Sequence, residues 1–103
     1  MTAQEEHSSL STIPLPPGAT WADQWDDVGR VVTGPHRHVT DSDVRIWTSA
    51  LQRTDGAINN QRDYWPPQVH VEGNVIDVNS DQARELAAAL LEAAALIDGW
   101  VAR

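Results

Sequence analysis

The chain has 103 residues and no cysteine, so it can build one domain with a modest core and no disulfide or thiolate metal site. Its fifteen acidic residues outnumber seven basic ones, and the net charge of -8 argues against direct binding to nucleic acid. The chain start lacks a signal-peptide pattern, and no apolar run suits a membrane span. We therefore expect a cytoplasmic protein that does not bind membranes.

The first twenty residues are polar and then proline-rich. They offer too few apolar side chains to offset the entropy lost on ordering. We expect residues 1–20 to form a disordered or extended N-terminal tail, and residues 21–103 to form a single domain.

The first half of the domain is predicted to form strands. β-branched residues at 28–33 indicate a short strand that breaks at Gly34 and Pro35. The strand is predicted to resume at 36–39. Alternating side chains at 44–53 predict the longest strand of the sheet.

Turn residues divide the remaining strands. Asp55 and Gly56 predict a type I′ hairpin turn, which requires positive φ at both central positions. Residues 57–59 should return antiparallel to the long strand. Two further strands are predicted at Gln68–Glu72 and at 75–78.

Residues 81–100 are predicted to form an amphipathic helix. Asn79 or Ser80 would cap its start, and Gln82 is placed to complete a capping box with Asn79. The predicted apolar stripe of this helix has members three or four residues apart: Ala83, Leu86, Leu90, Ala94, Ile97 and Val101. The whole pattern predicts an α+β domain in which a three- to five-stranded, mainly antiparallel meander packs against one C-terminal α-helix.

The chain has five tryptophans, one tyrosine and no phenylalanine. Trp47 and Trp100 are predicted to lie in the core, because the core needs large apolar side chains. The other aromatic residues lie in less regular segments and are predicted either to bind a protein partner or to close the uncovered sheet face. These residues are Trp21, Trp25, Tyr64 and Trp65.

Four residues on two predicted strands are candidate metal ligands. Imidazoles and a carboxylate suit zinc, and alternation would place each pair on one face of its strand. The four residues are His36, His38, His70 and Glu72. The alternative is an ordinary solvated sheet face, and we expect no bound metal and no other cofactor.

No catalytic motif is present. Ser42, Ser49 and Ser80 lack the strand–turn–helix context of a nucleophile elbow, and no motif places a histidine beside them. Asp41 and Asp43 are typical turn residues. We therefore expect a non-enzymatic protein.

Several short motifs follow one another in a recognisable order: Val44, Arg45 and Ile46, then Gln52, Asp55 and Gly56, then Val69, His70 and Val71, then Asp81, Gln82, Ala83, Arg84, Glu85, Leu86 and Ala87, followed by the run Ala-Leu-Leu-Glu-Ala-Ala at 89–94. This order resembles uncharacterised small proteins of mycobacteria and their phages, which end in a strand and a helix of the pattern D-Q-A-R-x-L-A. The resemblance covers about residues 21–100. It implies an actinobacterial or phage-related origin and the strand-then-helix fold, and it implies no activity.

These observations favour a small acidic protein-interaction or accessory module with a protein partner. Two alternatives stay open: an acidic decoy of nucleic acid on a basic protein surface, and a histidine metal-binding protein. A homodimer through the C-terminal helix is also predicted, because Ala88, Leu91 and Ala95 form a strip suited to close helix contact.

Overall fold

The computed structural model describes residues 12–102. Within this range, strands precede a single long helix along the chain. The elements are β1 (Trp21–Ala22), β2 (Gly29–Thr33), β3 (Arg37–His38), β4 (Arg45–Arg53), β5 (Gln68–Glu72) and α1 (Ser80–Val101).

The strands form one antiparallel sheet with β4 at its centre. β1 pairs with β2, and β2 pairs with the second half of β4. β3 pairs with the first half of β4 along the same edge, and β5 pairs with the opposite edge. The strands therefore meander in chain order beneath one C-terminal helix, and the predicted α+β class is confirmed.

A bulge separates β2 from β3. Thr33 lies opposite Ser49, and Arg37 lies opposite Ile46. Three residues therefore separate Thr33 from Arg37, whereas two residues separate Ile46 from Ser49 on β4. The extra residue falls within 34–36, where the pairing is interrupted and the strand bends. The break and the resumption that the sequence predicted are both confirmed, although β3 is shorter than expected.

One face of the sheet packs against α1. Along β4, the side chains of Ile46, Thr48 and Ala50 are buried on this face, as strict alternation requires. Val32 and Ala50 pair across β2 and β4, and both belong to a buried cluster with Trp100. The core is therefore a single layer between the sheet and the helix.

The two tryptophans assigned to the core have different positions. Trp100 is 1% exposed, and its Nε1 donates a hydrogen bond of 2.8 Å to the Pro17 carbonyl, so that prediction is confirmed. Trp47 is half-buried on the face opposite α1, and its assignment to the core is wrong. Ile46 and Thr48, its buried neighbours, take the positions that face the helix.

The start of α1 has the predicted capping box. Asn79 Oδ1 accepts a hydrogen bond of 2.8 Å from the Gln82 N–H, and Gln82 Oε1 accepts one of 2.9 Å from the Asn79 N–H. Two of the donors that a helix start leaves without partners are thereby satisfied. Within the described part of the chain, no helix combines the length and apolar character that crossing a bilayer requires.

The buried stripe of α1 is shifted by about one residue from the predicted stripe. Ala83 and Ala94 are exposed, whereas Ala93 and Trp100 are buried and Leu96 is half-buried. Both sets repeat with the helical period, so spacing alone does not choose between them. The insertion of the large Trp100 ring against the sheet sets the rotation of the helix.

The turn after β4 differs from the predicted type I′ turn. Of its two predicted central residues, only Gly56 has a positive φ, 89°. The Gly56 N–H donates to the Arg53 carbonyl at 2.8 Å, and the Arg53 N–H donates to the Ala57 carbonyl at 2.8 Å. This is a hairpin turn followed by a left-handed glycine. Asp55 accepts a hydrogen bond from the Ala57 N–H at 2.9 Å, and its own φ is not positive.

The predictions for residues 57–59 and 75–78 have different outcomes. The return segment after the turn is reduced to one isolated bridge between Gln52 and Ile58. The strand predicted at 75–78 is wrong, because these residues form no regular structure. They carry the chain from the sheet layer to α1, and the side chains of Val75 and Ile76 are more than half exposed.

The described part of the N-terminal segment lies against the domain. Residues 12–20 contain no strand or helix, Pro16 is buried, and the Ile13 carbonyl accepts a hydrogen bond of 3.0 Å from Arg30 Nη2. Residues 1–11 lie outside the described residues, and the tail prediction for them stays a prediction.

Candidate partner-binding surface

The sheet face opposite α1 carries mainly polar and aromatic side chains. Alternation and strand register decide which side chains lie on it. We call it the open face, and it includes Trp21, Val31, Thr33, His38, Arg45, Trp47, Ser49, Leu51, Gln68, His70 and Glu72. In the described part of the chain, no helix covers this face.

A row of three nearly parallel rings crosses the open face. Trp47 stacks on His70 of β5, with 4.8 Å between ring centroids and 14° between planes. It also stacks on His36 from the bulge, at 4.8 Å and 11°. Trp47 and His70 are directly opposed in the pairing of β4 with β5. β4 lies between β5 and the bulge that carries His36. Imidazoles therefore occupy both faces of the indole, which leaves Trp47 no free face for a flat ligand.

His70 also contacts a serine. Ser49 Oγ and His70 Nε2 lie 2.7 Å apart in a partly buried position. Sequence motifs did not reveal this pair, because the register of β4 and β5 creates it. A serine that acts as a nucleophile needs, besides a neighbouring histidine, free N–H groups that stabilise the oxyanion. The backbone groups of β4 around Ser49 are already used in pairing with β2 and β5. The hydrogen bond fixes the orientation of His70 within the ring stack.

The candidate metal ligands do not form one set. The Trp47 ring separates His36 from His70, whereas a zinc ion holds its imidazole nitrogens at about 2.0–2.1 Å. Glu72 Oε1 instead accepts a hydrogen bond of 2.6 Å from Arg45. Across residues 12–102, no three His, Asp or Glu side chains are grouped so that they could hold a metal ion.

The loop before β5 presents two exposed aromatic rings. Tyr64 is 48% exposed and Trp65 is 55% exposed. The buried Asn59 amide donates hydrogen bonds to the Tyr64 carbonyl at 2.6 Å and to the Trp65 carbonyl at 3.3 Å. Trp65 has a φ of 48°, a conformation that a bulky residue rarely adopts and that costs free energy. Asn59 therefore holds the loop in a strained shape that keeps both rings at the surface.

These two rings border a small hollow of about 120 Å³. Leu51 and Val31, an opposed pair on β4 and β2, form its apolar floor. Two acidic residues, Asp23 and Asp26, and one basic residue, Arg30, also line it. The hollow thus combines apolar and aromatic side chains with two acidic residues and one basic residue.

Asp26 is held in place by its own turn. Its Oδ1 accepts hydrogen bonds from the Gly29 N–H at 2.9 Å and the Val28 N–H at 2.8 Å. These bonds favour the charged form and lower the pKa of the Asp26 carboxyl below its ordinary value. Asp26 therefore contributes a negative charge to the lining of the hollow at neutral pH.

The two N-terminal tryptophans occupy different environments. Trp21 is 56% exposed, and its pairing with Thr33 places it on the open face. Trp25 is half-buried, with the Arg30 guanidinium carbon 4.3 Å from its ring centroid. Burial lowers the pKa of Arg30, whose Nε also donates to Gln52 Oε1 at 2.7 Å. The guanidinium thus covers Trp25, while Trp21 stays accessible.

A larger cleft of about 410 Å³ lies between the sheet and α1. Leu96 and Ala93 of the helix and Ile46 of β4 line it, and an ion pair between Arg37 and Glu92 borders it. Trp47 is also among its lining residues, whereas Trp21, Tyr64 and Trp65 are not.

Tyr64 and Trp65 therefore border one hollow, and Trp21 lies on the open face. Trp25 does not belong to this group, because Arg30 covers its ring. No protein-family model, curated protein or solved structure matches the chain. The resemblance to small mycobacterial and phage proteins accordingly stays a prediction.

Proposed function

We propose that this chain is a cytoplasmic, non-enzymatic protein-interaction module. Its binding surface would be the aromatic surface, which we define as Trp21, Tyr64 and Trp65. The observation that carries the proposal is the strained backbone of Trp65, held by the buried Asn59 amide. Strain of this kind persists where the surrounding structure enforces it, and it is concentrated at functional sites.

The surface also favours a particular chemistry in the partner. The apolar floor at Leu51 and Val31 suits an aliphatic side chain, and aromatic residues at such positions supply much of the binding energy in interfaces. Asp23 and Asp26 suit a neighbouring lysine or arginine, since the Arg30 guanidinium in the same lining is directed to Trp25 and Gln52. We expect a partner segment that combines one aliphatic anchor with a nearby basic residue.

The test is affinity capture from a lysate of the source organism or its host, with quantitative mass spectrometry. The W65A and Y64A variants should each lower recovery of a specific partner by roughly tenfold, because they remove hot-spot rings. L91A is the matched control, since Leu91 is 74% exposed but lies on α1. Undiminished recovery by a triple variant lacking all three aromatic side chains would refute the proposal.

The acidic-decoy alternative has less support. Four carboxylates form ion pairs with arginines at the surface, which reduces the negative charge available to imitate phosphates. A decoy should also lose its partner at high salt, because exposed charges are screened. Partner capture that survives about 1 M salt would favour the aromatic surface instead.

A further inference from the structure

The outer edge of β5 has no partner strand among the described residues. β5 is the last strand of the sheet, and its inner edge pairs with β4. Edge strands are usually protected by lysine, proline, a bulge or a covering element. The five residues of β5, Gln68–Glu72, include no lysine and no proline, and their pairing with β4 runs without a bulge. The charged side chain of Glu72 lies at the end of the strand and forms an ion pair with Arg45 of β4.

The hydrogen bonds of β4 show which β5 groups face outward. The Leu51 carbonyl accepts from the Asn59 N–H, and the Arg53 N–H donates to the Ala57 carbonyl, both on the edge where β5 lies. The Thr48 carbonyl instead accepts a bond on the β2 edge. The odd-numbered residues of β4 therefore direct their backbone groups towards β5.

The same alternation continues into β5. Trp47 is opposed to His70, so the N–H and C=O groups of His70 point inward to β4. Those of Val69 and Val71, on either side of it, point outward. The free edge therefore offers two donors and two acceptors from this strand.

The sequence of β5 is nearly the same in both directions. Read from either end, a polar residue is followed by valine, then His70 at the centre. In antiparallel pairing with a second copy about a two-fold axis at His70, Val69 lies opposite Val71 and Gln68 lies opposite Glu72. This register pairs all five residues of one β5 with all five of the other, and it opposes no like charges.

We propose that two copies of this chain dimerise by antiparallel pairing of their β5 edges, centred on His70. Val69 and Val71 of each copy would exchange both backbone hydrogen bonds, which makes about four across the interface. Val71, 45% exposed in one copy, would pack against Val69 of the other. The two sheets would become one continuous sheet, an isologous contact of the kind that closes a dimer.

The ring stack supports the same axis. His70 stacks on Trp47 towards β4, and its other side faces the free edge. At the centre of the pairing, the two His70 residues form a non-hydrogen-bonded pair, in which Cα atoms approach to about 4.5 Å. The row of rings that starts at His36 would thus continue into the second copy.

This interface differs from the one predicted on α1. Leu91 is 74% exposed between Ala88 and Ala95, but small residues on a helix specify no partner and no register. The β5 edge favours one register with a second copy, in which all five residues are paired and no like charges are opposed. The dimer does not depend on the proposed partner-binding function.

The first test is sedimentation equilibrium of the full chain over a concentration series. The wild type and V28K should show the same monomer–dimer equilibrium, and V71K should raise the dissociation constant at least about tenfold. The control is matched, because Val28 is 46% exposed and lies outside β5. A wild type that stays monomeric up to about 1 mM, or V71K behaving like V28K, would overturn the proposal.

The second test uses the absence of cysteine from the chain. H70C should form a disulfide-linked dimer on mild oxidation, because the Cα separation of about 4.5 Å at the axis suits a disulfide. E72C should not, since its two introduced thiols would lie about 13 Å apart along the strands. Equal cross-linking of H70C and E72C, or preferential cross-linking of L91C, would overturn the β5 pairing.

Discussion

At the scale of single residues, Asn59 decides the shape of the most exposed aromatic loop. It is 3% exposed, and its amide nitrogen is shared by two carbonyls of that loop. In sequence, Asn59 is one of two adjacent asparagines in a polar stretch, and nothing there distinguishes it from Asn60. Only burial of one asparagine and exposure of the other gives them different roles.

We predict that N59D destabilises the protein by about 1–3 kcal/mol, because a buried donor becomes an acceptor that faces two carbonyls. N60D makes the same chemical change at an exposed position and should change the free energy of unfolding little. Urea unfolding, followed by tryptophan fluorescence, measures both variants. Equal stability of N59D and N60D would show that the Asn59 hydrogen bonds do not hold the loop.

Thr48 presents the opposite case, a buried polar group without a partner. Its side-chain oxygen has no hydrogen-bond partner among the described residues, and the residue is 2% exposed. Gly34 lies so close that an added Cβ would come within 2.3 Å of that oxygen. The crowded bulge therefore buries the hydroxyl.

We predict that T48V raises the free energy of unfolding by about 1 kcal/mol, because valine has nearly the same shape and no unsatisfied hydroxyl. T33V, the same change on the open face, serves as control and should have a smaller effect. Thermal unfolding of the two variants beside the wild type makes the comparison. A lower melting temperature for T48V would mean that the hydroxyl has a partner in solution.

At the scale of elements, α1 shows which local signals are reliable. Its start could be predicted because the capping box uses residues three apart in sequence, and no distant contact is needed to form it. Its rotation could not be predicted, since two stripes one residue apart share the same period. The contact of Trp100 with Pro17, far away in the chain, selects between them.

We predict that N79A lowers the free energy of unfolding by about 1 kcal/mol through loss of the cap. Ser80 is the first residue of α1 and neighbours the cap, so S80A is the matched control and should cost less. Chemical denaturation monitored by circular dichroism measures the difference. If S80A costs as much as N79A, capping by Asn79 is not the cause.

The strands show a similar division. The long strand β4 and the edge strand β5 could be predicted from alternation, and the break before β3 from Gly34 and Pro35. The face of β4 that meets the helix could not, because apolar side chains occur on both of its faces. The misplacement of Trp47 in the core follows directly from this ambiguity.

At the scale of the whole molecule, the fold separates two kinds of surface. α1 covers one side of the sheet and completes the core, and the open face carries the ring stack beside the hollow bordered by Tyr64 and Trp65. The free β5 edge is one lateral edge of the sheet, between the face covered by α1 and the open face. This arrangement keeps the proposed partner-binding surface separate from the edge that we propose for pairing with a second copy.

The sequence by itself determined the α+β class, the order of the main elements and the helix cap. These features follow from periodicity and from residues near one another in the chain. Only the tertiary structure decided the stacking of His36, Trp47 and His70, the separation of the candidate metal ligands, and the covering of Trp25 by Arg30. The physical reason is register, because a side chain's neighbours across a sheet depend on which strands pair and with what offset.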